Sequence, residues 1–513
     1  MITAFRVDIS FHTSRAPGGE PPIFATSGEL ASIRGSTTDQ TWTGWCVLLN
    51  AGMGLQPAQL LSDCGRIVIM AGEIYNRDEL SRTVEGDSFS DDAELLSGSM
   101  KSHGLNAFRS INGRYAAVIG DGPRLTIATD HAGSVPVYIK ATDCGISVST
   151  EIKALSSREQ SATGRRRIDG APLVPIADGI LRVPAGTALS LDVSSDMRSL
   201  RTIRTWSPQP HRVSPVPSEA VKRLRQQLSH AVQVRVAGST STPTCVLSGG
   251  IDSGAVSALT AQLFGSVDTV SMGTDLRDEF SAARDVADHV ARYHPTSTHT
   301  ELIVKTDELL DEIPWAVWAS EASDPAVLEY LLPLTSLYRR LQGRARRIIT
   351  GYGADIPLGG MHRGIRELSA LEDAIFEDMS TFDGLNEMSP ALSGASGHWS
   401  THPFWDRDVL DLLVSLEAGL KKKDGVDKWV LREAMADLLP ESTIRRPKTG
   451  IHEGTGVSDA FTELLRCNGI PREKTMDAKR VIVSRIYRET VLDDRHPDDL
   501  SLHQLVEEYG CAR

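Results

Sequence analysis

The run Thr244-Cys-Val-Leu247, followed at once by Ser248-Gly249-Gly250-Ile251-Asp252-Ser253, constrains this chain more than any other stretch. Four residues of buried-strand type end in a glycine turn, and a helical stretch follows. A strand, a glycine turn and a helix start bring bare backbone N–H groups toward phosphate oxygens, and the helix dipole adds to the attraction. The loop has no lysine of the GxxxxGK[ST] kind and keeps an aspartate, which suits a divalent cation. Alone, an SGG turn is more often a plain joint between strand and helix. The surrounding pattern favours a pyrophosphate cradle built by Ser248, Gly249, Gly250 and Ser253.

That pattern is a repetition of strand-like runs, VDTVSM, ELIV and RRIIT, with helical segments between them, and it predicts a parallel sheet covered by helices. One run ends in Ser271-Met272-Gly273, where an adenine would lie against backbone. Another leads into Gly351-Tyr352-Gly353-Ala354-Asp355. Ligands of such sheets bind outside the carboxyl ends of the strands, so Asp252 and Asp355 are expected at the same phosphates, holding Mg2+. After about residue 365 the pattern is mostly helical.

Before about residue 200 the texture differs, with short β-rich runs such as RIVIMAGEIY and RYAAVIGDG between Gly, Asp and Ser turns. The proline-rich stretch Trp206–Pro217 lacks either periodicity and reads as an interdomain linker, with the boundary near residue 212. Beyond it, Ser218 is expected to cap a helix that buries Val221, Leu224, Leu228 and Val232.

A formal charge of −13 with scattered basic residues offers no footprint for nucleic acid or an anionic membrane, so small molecules are the expected partners. The six cysteines, Cys46, Cys64, Cys144, Cys245, Cys467 and Cys511, form no CxxC pair and point to neither zinc nor a disulfide framework. No run of eighteen apolar residues occurs, and the start MITAFRVDIS has no signal-like core, so a soluble, cytoplasmic protein is expected. Whether it works alone or as a homodimer stays open.

SGGIDS, GYGAD, Asp427-Lys428-Trp-Val-Leu-Arg432 and Arg446-Pro-Lys448 resemble the synthetase half of the asparagine synthetase family, which adenylates a carboxylate and passes it to an amine. AGEIYNRDEL, ATDHAGSVPVY, EYLLPLTSLYR, TGYGADIPLGGMHR, TFDGLNEMSP and SLEAGLKKKDGVDKWVLR are most similar to its β-lactam-forming branch, over nearly the whole chain. The resemblance implies a two-domain protein of mixed α+β and α/β class. Residues 1–211 would form a layered αββα domain of the Ntn-hydrolase type, and residues 212–513 an ATP-pyrophosphatase-like parallel-sheet domain with helical additions. The implied enzyme is an ATP- and Mg2+-dependent ligase of antibiotic biosynthesis that closes an amino diacid to a β-lactam. In the clavulanate-type branch the substrate would be N2-(2-carboxyethyl)-L-arginine. A carbapenam synthetase, an ammonia-dependent asparagine synthetase and a silent nucleotide-binding scaffold are the alternatives.

Ring closure needs a base for a mostly protonated amine, and the resemblance implies a dyad of Tyr352 and Glu387. It further implies Lys448 at the oxyanion, Lys428 on pyrophosphate and Gly351 beside the nucleotide. Gly353 and Asp355 would border the substrate, Asp378 would receive its guanidinium and Tyr330 would line the same cavity. Lys421, Lys422 and Lys423 read as a solvated run, and His398 and His402 as structural, since no third metal ligand accompanies them. His362 is a further candidate for the pocket wall.

GluIleTyrAsn at 73–76, Asp92-Ala-Glu94, Asn112-Gly-Arg-Tyr115, AspHisAlaGly at 130–133 and SerThrGluIleLysAla at 149–154 resemble the glutamine amidotransferase domain. That domain uses an amino-terminal cysteine. Here the chain begins Met-Ile-Thr-Ala, and the family's Asn-Gly-Glu reads Ala71-Gly72-Glu73, which removes an oxyanion donor worth ~10²–10³ in rate. Glutaminase activity is therefore expected to be lost. Glutamate release from glutamine, followed with and without ATP, should stay at the buffer background; turnover above it would contradict the reading.

Overall fold

The structure is a computed structural model that describes residues 1–10, 21–36, 41–49, 61–63, 66–84, 89–143, 145–156, 168–193, 199–209, 214–341, 346–382, 388–447 and 456–511. Among the described residues the first half contains two antiparallel sheets, one of seven strands and one of six. Alternation along the strands explains their stacking, because successive side chains point to opposite faces. In Arg66–Ile74, Ile67, Ile69 and Ala71 join a core shared with Phe5, Val7 and Ile9 of the other sheet. Val68 and Met70 point the opposite way, against Leu95 and Leu96 of the helix Asp92–His103. That helix is capped by Asp91, whose side chain accepts the Glu94 N–H.

The second half is organised on a five-stranded sheet in which every pairing is parallel. Its spatial order is Thr298–Val304, Asp268–Thr274, Thr244–Val246, Arg347–Ile349, Trp399–Thr401. The order reverses at Thr244–Val246, so the crevice at its carboxyl end is a topological switch point. Ser248–Ser253 leaves one side of that crevice and Thr350–Asp355 the other.

The helix expected beyond the linker is Pro217–Val236, and it buries Leu224, Leu228 and Val232 while Val221 is partly covered. Ser218 is not its cap. Pro217 occupies the first turn with Val216 before it, because proline's fixed φ is already helical and it brings no N–H to satisfy. The boundary expected near residue 212 lies outside the described residues. Among the described residues no helix is long and apolar enough to cross a membrane.

Charged groups buried between the two halves join them. Glu73, in the six-stranded sheet, meets the Arg347 guanidinium through two hydrogen bonds of 2.6 and 2.8 Å. Beside them Arg235 bonds Asp406 at 2.9 Å and Thr401 Oγ1 at 3.1 Å, with its guanidinium 3.8 Å from the Tyr75 ring centre. Asn112 donates to Asp406 at 2.9 Å, and Arg114 donates to the carbonyls of Ser400 and Met388. Lys153 pairs with Glu321 at 2.7 Å.

Burial by itself would raise the Glu73 pKa, but the charge and hydrogen bonds of Arg347 outweigh it and hold the carboxyl below its usual value. A depressed carboxyl contributes stability that is present above its unfolded pKa and lost as the pH falls through the folded one. Glu73→Ala should cost roughly 3–5 kcal/mol at pH 7, because it leaves Arg347 buried and unpaired. Denaturant unfolding checks this, and the difference from wild type should shrink as the pH drops below about 4.

Candidate active site

The loop after Thr244–Val246 is shaped by glycine. Gly249 has φ +74°, and a side chain there would overlap the backbone of Ala282–Ala283. Ser253 Oγ accepts the Ser248 N–H at 3.1 Å and lies 3.1 Å from Ser248 Oγ, which folds the turn onto the start of the helix Ile251–Phe264. A Cβ on Gly351 would sit 2.5 Å from the Ser253 amide nitrogen, so the two crevice loops touch through backbone. The chain thus places Ser248, Gly249, Gly250, Asp252, Ser253 and Gly351 together.

Lys428 ties the same loops by charge. Its ammonium is 2.5 Å from Asp252 Oδ2 and 2.6 Å from Asp355 Oδ1, and its side chain is only 1% exposed. Expected to hold pyrophosphate, Lys428 lies against both candidate metal ligands. Gly360 makes room for this arrangement, since a Cβ there would meet Asp355 and the Lys428 side chain. Two carboxylates to one ammonium leave an excess of negative charge, and their oxygens are donors that suit Mg2+. Among the described residues no group of three His, Cys, Asp or Glu forms a metal site. A cation here would complete its shell with phosphate oxygens and water, as Mg2+ commonly does.

A cleft beside the cradle is lined by Val246, Leu247, Ser248, Ser271, Met272, Glu279, Phe280, Pro333, Leu334 and Leu337. Apolar walls with a few polar groups suit a flat heterocycle. Ser271 and Met272, expected beside an adenine, line this cleft, and a Cβ on Gly273 would meet Asp278 and Phe280. Sequence reasoning missed the charged pair at this rim. Arg446 reaches Glu279 Oε1 at 2.5 Å and donates to the Ser248 carbonyl at 3.2 Å, linking the segment before Lys448 to the cradle.

On the other side of the crevice, the Tyr352 N–H donates to Thr350 Oγ1 at 3.2 Å, and the Tyr352 ring meets the His402 ring edge-on at 5.7 Å. Gly353, at φ +88°, lies so close to the Trp405 indole that no side chain would fit. Tyr352 packs against an apolar cluster that includes Leu371, Ile375 and Met379 of the helix Leu368–Thr381. Asp378, on that helix, has Oδ2 2.7 Å from His362 Nε2. Tyr330 is 38% exposed on the helix Pro325–Arg340, whose Pro333, Leu334 and Leu337 border the apolar cleft. Glu387 and Lys448 lie outside the described residues.

The lysine run departs from expectation. Lys421 is 2% exposed, and burial pushes its ammonium down to about 7, only partly opposed by Glu372. Lys422 and Lys423 are half-buried; the former donates to the carbonyls of Arg363 and Ile365, and the latter lies over the Trp429 ring. The short helix Ala418–Lys421 packs into the apolar cluster around Trp405, so the run cannot be wholly solvated. His398 is hydrogen-bonded through both nitrogens, to Arg346 N and Tyr338 O, and burial lowers it to about 4.

A parallel sheet with a glycine loop, paired carboxylates and an apolar cleft at its switch point suits a nucleotide-using enzyme. The asparagine synthase family pattern matches residues 223–380 and 391–489, and a glutamine amidotransferase domain pattern matches residues 47–157. The chain is 46% identical over 501 residues to carboxyethyl-arginine beta-lactam-synthase of Streptomyces clavuligerus, covering 96% of this chain and 94% of that one. Glutamine-hydrolysing asparagine synthetase of Asparagus officinalis is 25% identical, over 81% and 72% of the two chains. That of Gallus gallus is 25% identical, over 78% and 74%. The chain belongs to the asparagine synthase family and is an ATP-dependent ligase. Asp252→Asn or Asp355→Asn should lower substrate-dependent exchange of pyrophosphate into ATP by roughly 10²-fold or more, since an amide neutralises no cation. Normal exchange in both variants would remove the pair as cation ligands.

Proposed function

We propose that this enzyme closes a β-lactam ring, taking N2-(2-carboxyethyl)-L-arginine, ATP and Mg2+ and releasing a monocyclic β-lactam, deoxyguanidinoproclavaminate, with AMP and pyrophosphate. The observation that carries the reading is the 46% identity with a carboxyethyl-arginine β-lactam-synthase along almost the full length of both chains. The position of Tyr352, beside Asp252, Asp355 and Lys428 at one switch point, supports it. Residues 1–211 would be an inactive amidotransferase-like domain and residues 212–513 the synthetase.

In this reading the backbone of Ser248–Ser253 binds phosphates, and Ser271, Met272 and Gly273 border the adenine. Asp252 and Asp355 would hold Mg2+, which would supply charge neutralisation at the phosphates. The substrate's β-carboxylate attacks the α-phosphorus, pyrophosphate leaves, and the carboxyl becomes a mixed anhydride with AMP. Tyr352 takes the proton of the secondary amine as it hands its own phenolic proton to the Glu387 carboxylate, while nitrogen attacks the acyl carbon. Lys448 balances the oxyanion, and AMP leaves as the ring closes. A nitrogen already on the substrate needs no ammonia from the first half. There the amidotransferase-like motif residues Glu73, Tyr75, Asn112, Arg114 and Lys153 are engaged with the second half.

Asp378 is suited to a guanidinium, because a carboxylate accepts two parallel hydrogen bonds from it. The half-exposed contact with His362 is one such a cation can replace. Incubation with ATP, Mg2+ and carboxyethyl-arginine should give a product lighter by one water in mass spectrometry. Asp378→Ala should raise KM for that substrate by roughly 10-fold or more, the worth of a charge-assisted hydrogen bond, with KM for ATP little changed. Equal efficiency of the wild type with carboxymethyl-proline, or an unchanged KM in the variant, would overturn the substrate assignment.

A further inference from the structure

His402 is buried, 4% exposed, at the carboxyl end of the strand Trp399–Thr401. Its Nδ1 is 2.7 Å from Thr350 Oγ1, the same oxygen that accepts the Tyr352 N–H at 3.2 Å. Its ring meets the Tyr352 ring edge-on, with an interplanar angle of 71°. The Thr350 N–H donates to the Thr401 carbonyl at 3.0 Å, so the Tyr352 loop is tied to the neighbouring strand at two successive residues. Thr401 Oγ1 is itself held by Arg235 at 3.1 Å and by Tyr75 of the first half at 3.2 Å.

Burial first, and then the charges of Arg114 and Arg235, hold the imidazole well below its ordinary pKa, so it is neutral. Nε2 has no hydrogen-bond partner among the described residues. A side chain kept only for packing would be better served by a phenylalanine or leucine, which buries no unsatisfied nitrogen. What His402 does have is the contact with Thr350 and the edge against the phenol ring.

We propose that His402, acting through Thr350, is a positioning residue for Tyr352, holding the phenol in the orientation from which it takes the amine proton during ring closure. The inference rests on the reading of Tyr352 as the base. A proton is transferred only between atoms held at hydrogen-bond distance, and a displacement of about 1 Å costs roughly 10²-fold. Adenylation of the carboxylate does not use Tyr352, so loss of His402 separates the two half-reactions.

The test uses His402→Phe, which keeps an aromatic edge, and Thr350→Val, which removes only the bridging oxygen. Both should close the ring at least about 10-fold more slowly, with exchange of pyrophosphate and both KM values within about 2-fold of wild type. The double variant should be little worse than either single one, because both remove one link. His402→Asn, whose amide can again reach Thr350 Oγ1, should recover part of the loss. Thr350→Val carries the test if His402→Phe does not fold. Normal ring closure in Thr350→Val, or equal loss of exchange and ring closure, overturns the positioning role. Tyr352→Phe provides the control: ring closure at the wild-type rate there would instead sink Tyr352 as the base.

Discussion

The ion pair between Glu73 and Arg347 is the constraint on which the relation of the two halves depends. Both side chains are almost completely buried, and neither charge would be tolerable there alone. Arg347 opens the strand whose other end leads into Thr350–Asp355, so the charge that anchors the first half also fixes where that strand begins. Arg235, Asp406, Asn112 and Tyr75 extend the contact into a connected network in which each charge has a partner. Such a network is costly when half satisfied and specific when complete, which makes it a register for docking more than a source of net stability.

From this base the crevice is built by backbone proximity. Gly249, Gly351, Gly353 and Gly360 stand where the next side chain would collide with Ala282, Ser253, Trp405 and Asp355. The absence of side chains lets two loops from opposite sides of the switch point touch, and Lys428 then bridges the carboxylates they carry. The same lysine lies in the left-handed region at φ +58°, at the start of the helix Trp429–Ala434. Its backbone conformation is sustained by burial and by two ion pairs at the far end of its side chain.

The Tyr352 side of the crevice is different in character. Phe382 stacks on Trp405 at 4.2 Å, and His131 of the first half holds the Trp405 carbonyl at 2.8 Å. The tyrosine loop thus meets an aromatic ring at Gly353 and a polar group at the Tyr352 N–H. The polar loop and the apolar wall meet at Gly351–Gly353, where a Cβ on Gly351 would touch Ser253 and one on Gly353 would touch Trp405.

Family resemblance alone implied the two stacked sheets of the first half. The sequence by itself determined the parallel sheet, the glycine turn after its first strand, the helix that follows the proline-rich stretch and the β-rich character of the first half. These follow from local rules: strand alternation, helical spacing, and the need for glycine where φ is positive. The candidate residues Ser248, Asp252, Tyr352 and Asp355 were legible for the same reason, since each sits at the end of a strand whose position in such a sheet is predictable. Tertiary structure alone decided the partners of charge. Glu73 and Arg347 are 274 residues apart, and Asp252 and Lys428 are 176 apart. Lys421 reads as a solvent residue until the helix it ends is packed under a neighbour. His402 reads as a bland core histidine until Thr350 is brought against it. Whether a polar side chain is solvated, paired or left to steer another depends on what the fold places within a few ångströms, and no local pattern encodes that distance.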